Sequence, residues 1–152
     1  MSAIYIHGVP VDCINQAAVE YMVPAELIIS VLMIEGGHIG DANPNQNGTY
    51  DYGPMQINSI WLDKIASYGY TQQMIQYNPC ANVAVGTWIL SQAISDSNDF
   101  WQGVGDYHSH SYYQNTIYRA KVEHFYNYLD HYLNSFTHQP VPIKPAGNYP
   151  NY

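Results

Sequence analysis

The stretch "PAELIISVLMIEGG", residues 24 to 37, constrains the fold more than any other. Pro is accommodated in the first turn of a helix, and Ile28, Val31 and Leu32 recur at helical spacing. Two glycines then stop the run, as glycine does past a helix terminus. The spacing predicts a helix over 24–35. Glu35 closes it, three residues after Leu32, four after Val31 and seven after Ile28. Those offsets put its carboxyl on the face of the apolar stripe. A carboxyl against apolar walls loses hydration on ionising, so its pKa rises. A general acid working near neutral pH needs that property. The plainer alternative is a Glu at a helix end that turns out to solvent.

Further helices follow from the same spacing rule. "CINQAAVEYMV" (13–23) reads as a short amphipathic helix with Ala17, Val19 and Tyr21 on its apolar side. "PMQINSIWLDKIASYG" (54–69) carries Met55, Ile57, Trp61, Leu62 and Ile65, and "TQQMIQY" is a short helical turn. "NPCANVAVGTWILSQAIS" (78–95) has Asn78 as its N-cap and Pro79 at its first position. A shorter helix is led by Asn98 over 98–109. A last one runs over 113–136 with the stripe Ile117/Tyr118, Val122, Phe125, Leu129, Tyr132/Leu133 and Phe136. Between the second helix and Pro54 lies "HIGDANPNQNGTYDYG" (38–53), dense in turn residues. It reads as a long loop with a small hairpin about Asn47-Gly48. Long loops in compact domains are commonly functional. Strand signals are weak, so the class is mainly α. Residues 1–138 form the expected domain. The tail 139–152, with four prolines in fourteen residues, is expected to be extended or disordered.

Composition narrows the function. The chain has 152 residues, enough for one domain with an ordinary core. Its net charge is −8, from four basic and twelve acidic residues. Binding nucleic acid needs Lys and Arg to displace counterions from phosphates, so that class is excluded. The longest apolar run, "LIISVLMI", is far short of a membrane span. Tyrosine is in excess at 16 residues. Its flat face and polar tip suit sugar binding, though most of the sixteen read as ordinary filler. Two cysteines, Cys13 and Cys80, permit one disulfide without demanding it. "HSH" (108–110) is no metal site: His at i and i+2 share a face on a strand and diverge on a helix. His124, His131 and His138, every seventh residue, read as a solvated helix flank.

The segment after the loop carries the strongest motif. "YDYGPMQINSIW" (50–61), with Glu35 upstream, resembles lytic transglycosylases of the lysozyme superfamily, and most closely their small secretion- and pilus-associated members. "NPCAN" (78–82), an early Cys13, "VGDYHSH" (104–110) and "YRAKV" (118–122) echo further family motifs in the same order. The resemblance covers about residues 12–124. It implies a lysozyme-like α-helical domain with a long active-site loop and little β structure. It also implies a single catalytic Glu35, with no metal or cofactor. Gly53, Met55, Gln56, Asn58, Tyr107, His108 and Tyr118 fall at the positions expected to form the glycan site. Tyr118 is expected to bond Glu35 through its hydroxyl and Tyr107 to line the cleft. Met55 reads more readily as a packing residue. Asp51 and Asp41 are the available second acids. Asp51 reads better as a loop or helix-cap residue, since a water-positioning Asp would make the enzyme a hydrolase.

The resemblance implies a substrate as well, peptidoglycan glycan strands. It implies a periplasmic or secreted location with the export signal removed, where Cys13 and Cys80 pair, and service to a secretion, conjugation or pilus apparatus. The rival readings are a hydrolytic lysozyme and a non-catalytic wall-binding protein. Three positions depart from the family pattern. Gly36 stands where a Ser is usual, His108 replaces an Asn, and His110 replaces a Gly.

Overall fold

A computed structural model describes residues 2–137. Two short strands, β1 (Tyr5–Ile6) and β2 (Val9–Pro10), form an antiparallel hairpin. His7 and Gly8, both at positive φ, make its tight turn. Helix α1 (Val11–Tyr21) follows and ends at Met22 in the left-handed conformation, whose N–H bonds back to Ala18 O. Pro24 leads into α2 (Ala25–Glu35), closed by Gly36 at φ 62° with its N–H on Leu32 O. That is the terminus expected from the glycine pair. Ile14 and Ala17 are buried on α1, but Val19 is 82% exposed. The apolar side expected of α1 is therefore rotated, because its packing face is set by Ile14 rather than by Val19.

The segment expected as a loop supplies two strands, β3 (Ala42–Pro44) and β4 (Tyr50–Tyr52), which form a three-stranded antiparallel sheet with β5 (Ile57–Asn58) from the segment expected as a helix. The hairpin about Asn47-Gly48 joins its first two strands. The helix expected over 54–69 starts eight residues late, as α3 (Leu62–Ala66) after a 3-10 turn at Ser59–Trp61. Three features prevent an earlier start. Gly53 and Gln56 both take positive φ, 67° and 52°. Ile57 and Asn58 pair with Tyr52 and Asp51. The Met55 N–H donates to the buried Asn82 side chain at 2.9 Å, so no free helix N-terminus opens at Pro54.

The remaining helices are α4 (Gln72–Tyr77), α5 (Pro79–Asp96), α6 (Phe100–His108) and α7 (Tyr112–Thr137). Asn78 caps α5, accepting from Cys80 N and Ala81 N at 3.0 Å, with Pro79 leading the helix. Asp99 rather than Asn98 caps α6. The class is mainly α. Helix α5 packs between α1 and α6, and α7 lies across α2 and α6. Their shared core includes Leu27, Ile28, Val31, Leu32, Leu90, Val104 and Val122. Cys13 and Cys80 form a disulfide between the starts of α1 and α5, with Cα atoms 5.4 Å apart. Across a sequence separation of 67 residues, the chain-entropy model values such a link at roughly 4 kcal/mol. The α7 stripe is buried only in its first half. Tyr118 and Val122 are covered, whereas Leu133 and Phe136 are 41% and 56% exposed. His124 and His131 are exposed on that helix. His138 and the Pro-rich 139–152 lie outside the described residues. No helix among the described residues is long and apolar enough to cross a membrane.

Asn82 ties the sheet to this helical body. It is fully buried on α5, accepts from Met55 N, and donates to Tyr52 O at 2.9 Å and Ile75 O at 2.7 Å. Removing it strands three buried backbone groups, each costing about 1–3 kcal/mol. Asn82→Ala is expected to destabilise the fold by about 3 kcal/mol or more in urea titrations. A loss below about 1 kcal/mol would show that the amide is dispensable.

Candidate active site

Glu35 closes α2, where the preceding turns of the helix are core. Its residue surface is only partly covered, but protein surrounds the carboxyl. The Tyr118 hydroxyl, from α7, donates to Glu35 Oε1 at 2.8 Å. The carboxyl pKa is raised from 4.5 to about 7. Burial is the main cause, the Tyr118 bond opposes it, and the negative charge of Asp51 adds to it. Tyr118 is itself pushed well above 10, first by burial and then by Glu35, so it stays a donor throughout.

A cleft of about 530 Å³ opens over this carboxyl. One wall is the small sheet and its hairpin, presenting Asn45, Asn47, Thr49, Asp51, Gln56 and Asn58. The other is the end of α6 with Tyr107, His108 and Ser109. The hollow continues both ways. A space of about 290 Å³ lies past Glu35, bounded by Ile34, Ile117, Tyr118 and Lys121. Another of about 460 Å³ runs past Trp61 toward Gln92 and Asp106. His108 borders all three. Amides and hydroxyls dominate the sheet wall. That lining fits a neutral, hydroxyl-rich chain laid along a groove.

Local chemistry fixes the sheet wall. Gly37 lies so close to the next strand that a Cβ would fall 2.1 Å from Gly53 O and 2.6 Å from Gln56 Nε2. The chain leaving α2 can therefore pass directly against the Gly53–Gln56 turn. Gln56 is then held on three sides. Its Nε2 donates to Gly53 O at 2.9 Å, Asp41 Oδ2 lies 3.5 Å away, and Asn43 Nδ2 donates to its Oε1 at 3.0 Å. A non-glycine residue at φ 52° costs about 1 kcal/mol or more, and these bonds offset it. Asn58 donates to Asp51 Oδ1 at 2.9 Å and Thr49 Oγ1 at 3.0 Å.

Of the residues expected at the site, Glu35, Gln56, Asn58, Tyr107 and His108 share the central cleft, and Tyr118 borders its continuation past Glu35. Two do not reach it. Met55 is fully buried against Gly86, where a Cβ would meet its sulfur at 2.4 Å. Gly53 is also buried, and a Cβ there would meet Asn82 Nδ2 at 2.3 Å and Ile75 O at 2.6 Å. Both hold the turn rather than face the groove. Tyr107 lines the cleft with its ring while its hydroxyl donates to Met55 O at 2.8 Å. Asp51 caps no helix; it sits on β4 and faces the cleft. Asp41 instead accepts from His38 N at 2.8 Å. His110 Nδ1 lies 3.4 Å from Asp106. Asn115, buried on α7, donates to the same Asp106 at 2.7 Å, and Gly105 leaves room for it. Asn82 and Asn115 were not singled out from the sequence. Their shared signal there is an amide within an otherwise helical, partly apolar run, and Asn82 also ends the "NPCAN" motif.

The fold and site thus define a mainly α domain with one carboxyl acid at a helix end, facing an amide-lined groove. The chain belongs to the transglycosylase SLT domain family, whose model matches residues 12–120. It is 31% identical over 99 residues to Protein IpgF of Shigella flexneri, covering 64% of this chain and 65% of that protein. It is 30% identical over 99 residues to Invasion protein IagB of Salmonella typhimurium, covering 64% of this chain and 62% of that one. A Peptidoglycan-binding-like protein of Escherichia coli O157:H7 is 29% identical over 105 residues, covering 64% and 63%. In each case the matched region spans less than two thirds of the relative's length.

The raised carboxyl has a consequence for stability. Between its unfolded pKa of 4.5 and the folded value of about 7, the folded chain keeps a proton that the unfolded chain releases. Stability therefore falls as pH rises through that window, by up to about 3 kcal/mol. Glu35→Gln is expected to be more stable than wild type near pH 8 and equal to it near pH 4, read from urea midpoints. A difference independent of pH would contradict the buried-acid geometry.

Proposed function

We propose that the protein is a peptidoglycan lytic transglycosylase that cuts the β-1,4 bond between N-acetylmuramic acid and N-acetylglucosamine. The observation that carries this reading is Glu35, protonated near neutral pH, at the floor of an open groove within a transglycosylase-family domain. Glu35 gives its proton to the glycosidic oxygen as that bond breaks. The cation left on the muramyl sugar is stabilised by the substrate's own acetamide. Glu35, now a carboxylate, takes the proton from the muramyl 6-hydroxyl, whose oxygen closes a 1,6-anhydro ring. The proton count balances, no water is consumed, and the enzyme returns to its starting state.

Gln56 and Asn58 supply amide contacts to the sugar from the sheet wall. Tyr107 and His108 bound the path from the other side, and Tyr118 holds the acid. Gly53 and Met55 act indirectly, by shaping the turn that carries Gln56. Glycan strands are the partner. The name of the Escherichia coli relative fits such a ligand, and that of the Salmonella relative, an invasion protein, fits local wall opening around a secretion or pilus apparatus. Peptidoglycan lies outside the cytoplasm, and the disulfide suits an oxidising compartment. Residues 1–138 make the catalytic domain, with 139–152 as an appended tail.

One observation favours a second reading. Asp51 is the other carboxylate lining the central cleft, and its charge acts on Glu35. If it positions a water, the enzyme is a hydrolase. Mass spectrometry of digested peptidoglycan separates the outcomes. Anhydromuropeptides are expected from wild type, with a drop of at least about a hundredfold in Glu35→Gln. Reducing-end products would favour the hydrolase. Full cleavage by Glu35→Gln would remove Glu35 as the acid, and no products from wild type would leave a wall-binding protein.

A further inference from the structure

His108, the last residue of α6, touches the partner of the acid rather than the acid itself. Its ring lies parallel to that of Tyr118, with centroids 4.7 Å apart and planes 8° from each other. Tyr118 is 5% exposed although it sits at the edge of an open groove. The imidazole is the surface residue on that side, open to solvent on its far face and bordering each part of the groove. A phenol whose face is stacked cannot swing its hydroxyl off Glu35 without first parting from the imidazole.

We propose that His108 is a positioning residue whose ring lies as a lid on the face of Tyr118 and so holds the Tyr118 hydroxyl on the Glu35 carboxyl. The lid works through ring shape, not charge. The charged and titratable groups that share its surroundings are Tyr118 and Lys121 from α7, Glu35 from α2, Asp51 from β4, Asp96 from α5, Asp106 and Tyr107 on its own helix, and His110 just beyond it. Burial lowers its pKa below 6.5, Asp51 opposes that and Lys121 adds to it. Burial thus favours the neutral imidazole, which brings no cation that would favour the carboxylate.

The lid itself rests on the stacking geometry; its effect on cleavage rests on the reading of Glu35 as the acid. Carbon-13 NMR of the Glu35 side-chain carboxyl tests it without reference to activity, in wild type, His108→Ala and His108→Phe. The wild-type midpoint is expected near 7. His108→Ala should raise it by several tenths of a pH unit or more, because a loosened Tyr118 hydroxyl no longer favours the carboxylate. His108→Phe, which keeps a flat ring and cannot titrate, should stay within a few tenths of a unit of wild type. An unmoved midpoint in His108→Ala would overturn the proposal. So would equal shifts in both variants, which would assign the effect to the imidazole nitrogens. Cleavage by the same variants then separates the two claims. If the NMR midpoint moves and the alkaline limb of kcat/KM does not, the lid stands and the acid role of Glu35 fails.

Discussion

The bond from the Tyr118 hydroxyl to Glu35, 2.8 Å long, joins the two parts of the sequence on which the site depends. It spans 83 residues, from the end of α2 to the second turn of α7. A carboxyl at this place has two opposed influences. Burial disfavours its charge, and a hydroxyl donor favours it. Burial wins, and the acid stays protonated to about pH 7. A fully enclosed carboxyl would never release its proton, and a fully hydrated one would not keep it. The position at the floor of a groove, with one donor and a distant like charge, holds it between those limits.

The rest of the fold can be read as the means of placing a polar wall opposite that carboxyl. Apolar packing positions α2 and α7, since Leu32, Val122 and Tyr118 belong to one core. The sheet wall has no such core of its own. Its strands are two or three residues long, too short to be stable alone. Side-chain amides make up the difference. Asn82 binds the Tyr52–Met55 turn to α5, Asn58 crosses to Asp51, and Asn43 and Asp41 hold Gln56. The glycines act at two points of close approach, Gly37 against Gly53 O and Gly53 against Asn82. At Gly36 an added Cβ would meet nothing within 4 Å, so the glycine is needed there only for its left-handed turn.

The helical frame was legible because helices declare themselves over many residues. The 3-4 spacing of Ile28, Val31 and Leu32, and the Asn78-Pro79 start of α5, give the boundaries to within a residue or so. Glu35 was legible for the same reason, as an acid on an apolar face. The sheet was not, because two-residue strands have no alternation to detect and their pairing rests on contacts distant in sequence. The spacing of Met55, Ile57 and Trp61 imitates a helix, yet the residues between them take positive φ or pair with β4. Motif position placed Gly53 with the sugar contacts, whereas packing puts it behind the wall; Met55, which shares the motif, is buried there too, as its readier reading as a packing residue had it. Asn82 belongs to the quoted "NPCAN", but its role depends on three backbone groups that only folding brings together.

The central claim is that one buried carboxyl both gives and takes the proton, with the sugar's own hydroxyl replacing water. Cleavage carried out in heavy-oxygen water tests it most directly, because the label follows the attacking oxygen. Anhydromuramyl ends that carry no label are expected, since the oxygen closing the ring comes from the substrate. One heavy oxygen at each new reducing end would contradict it, and would make Asp51 the residue that positions water.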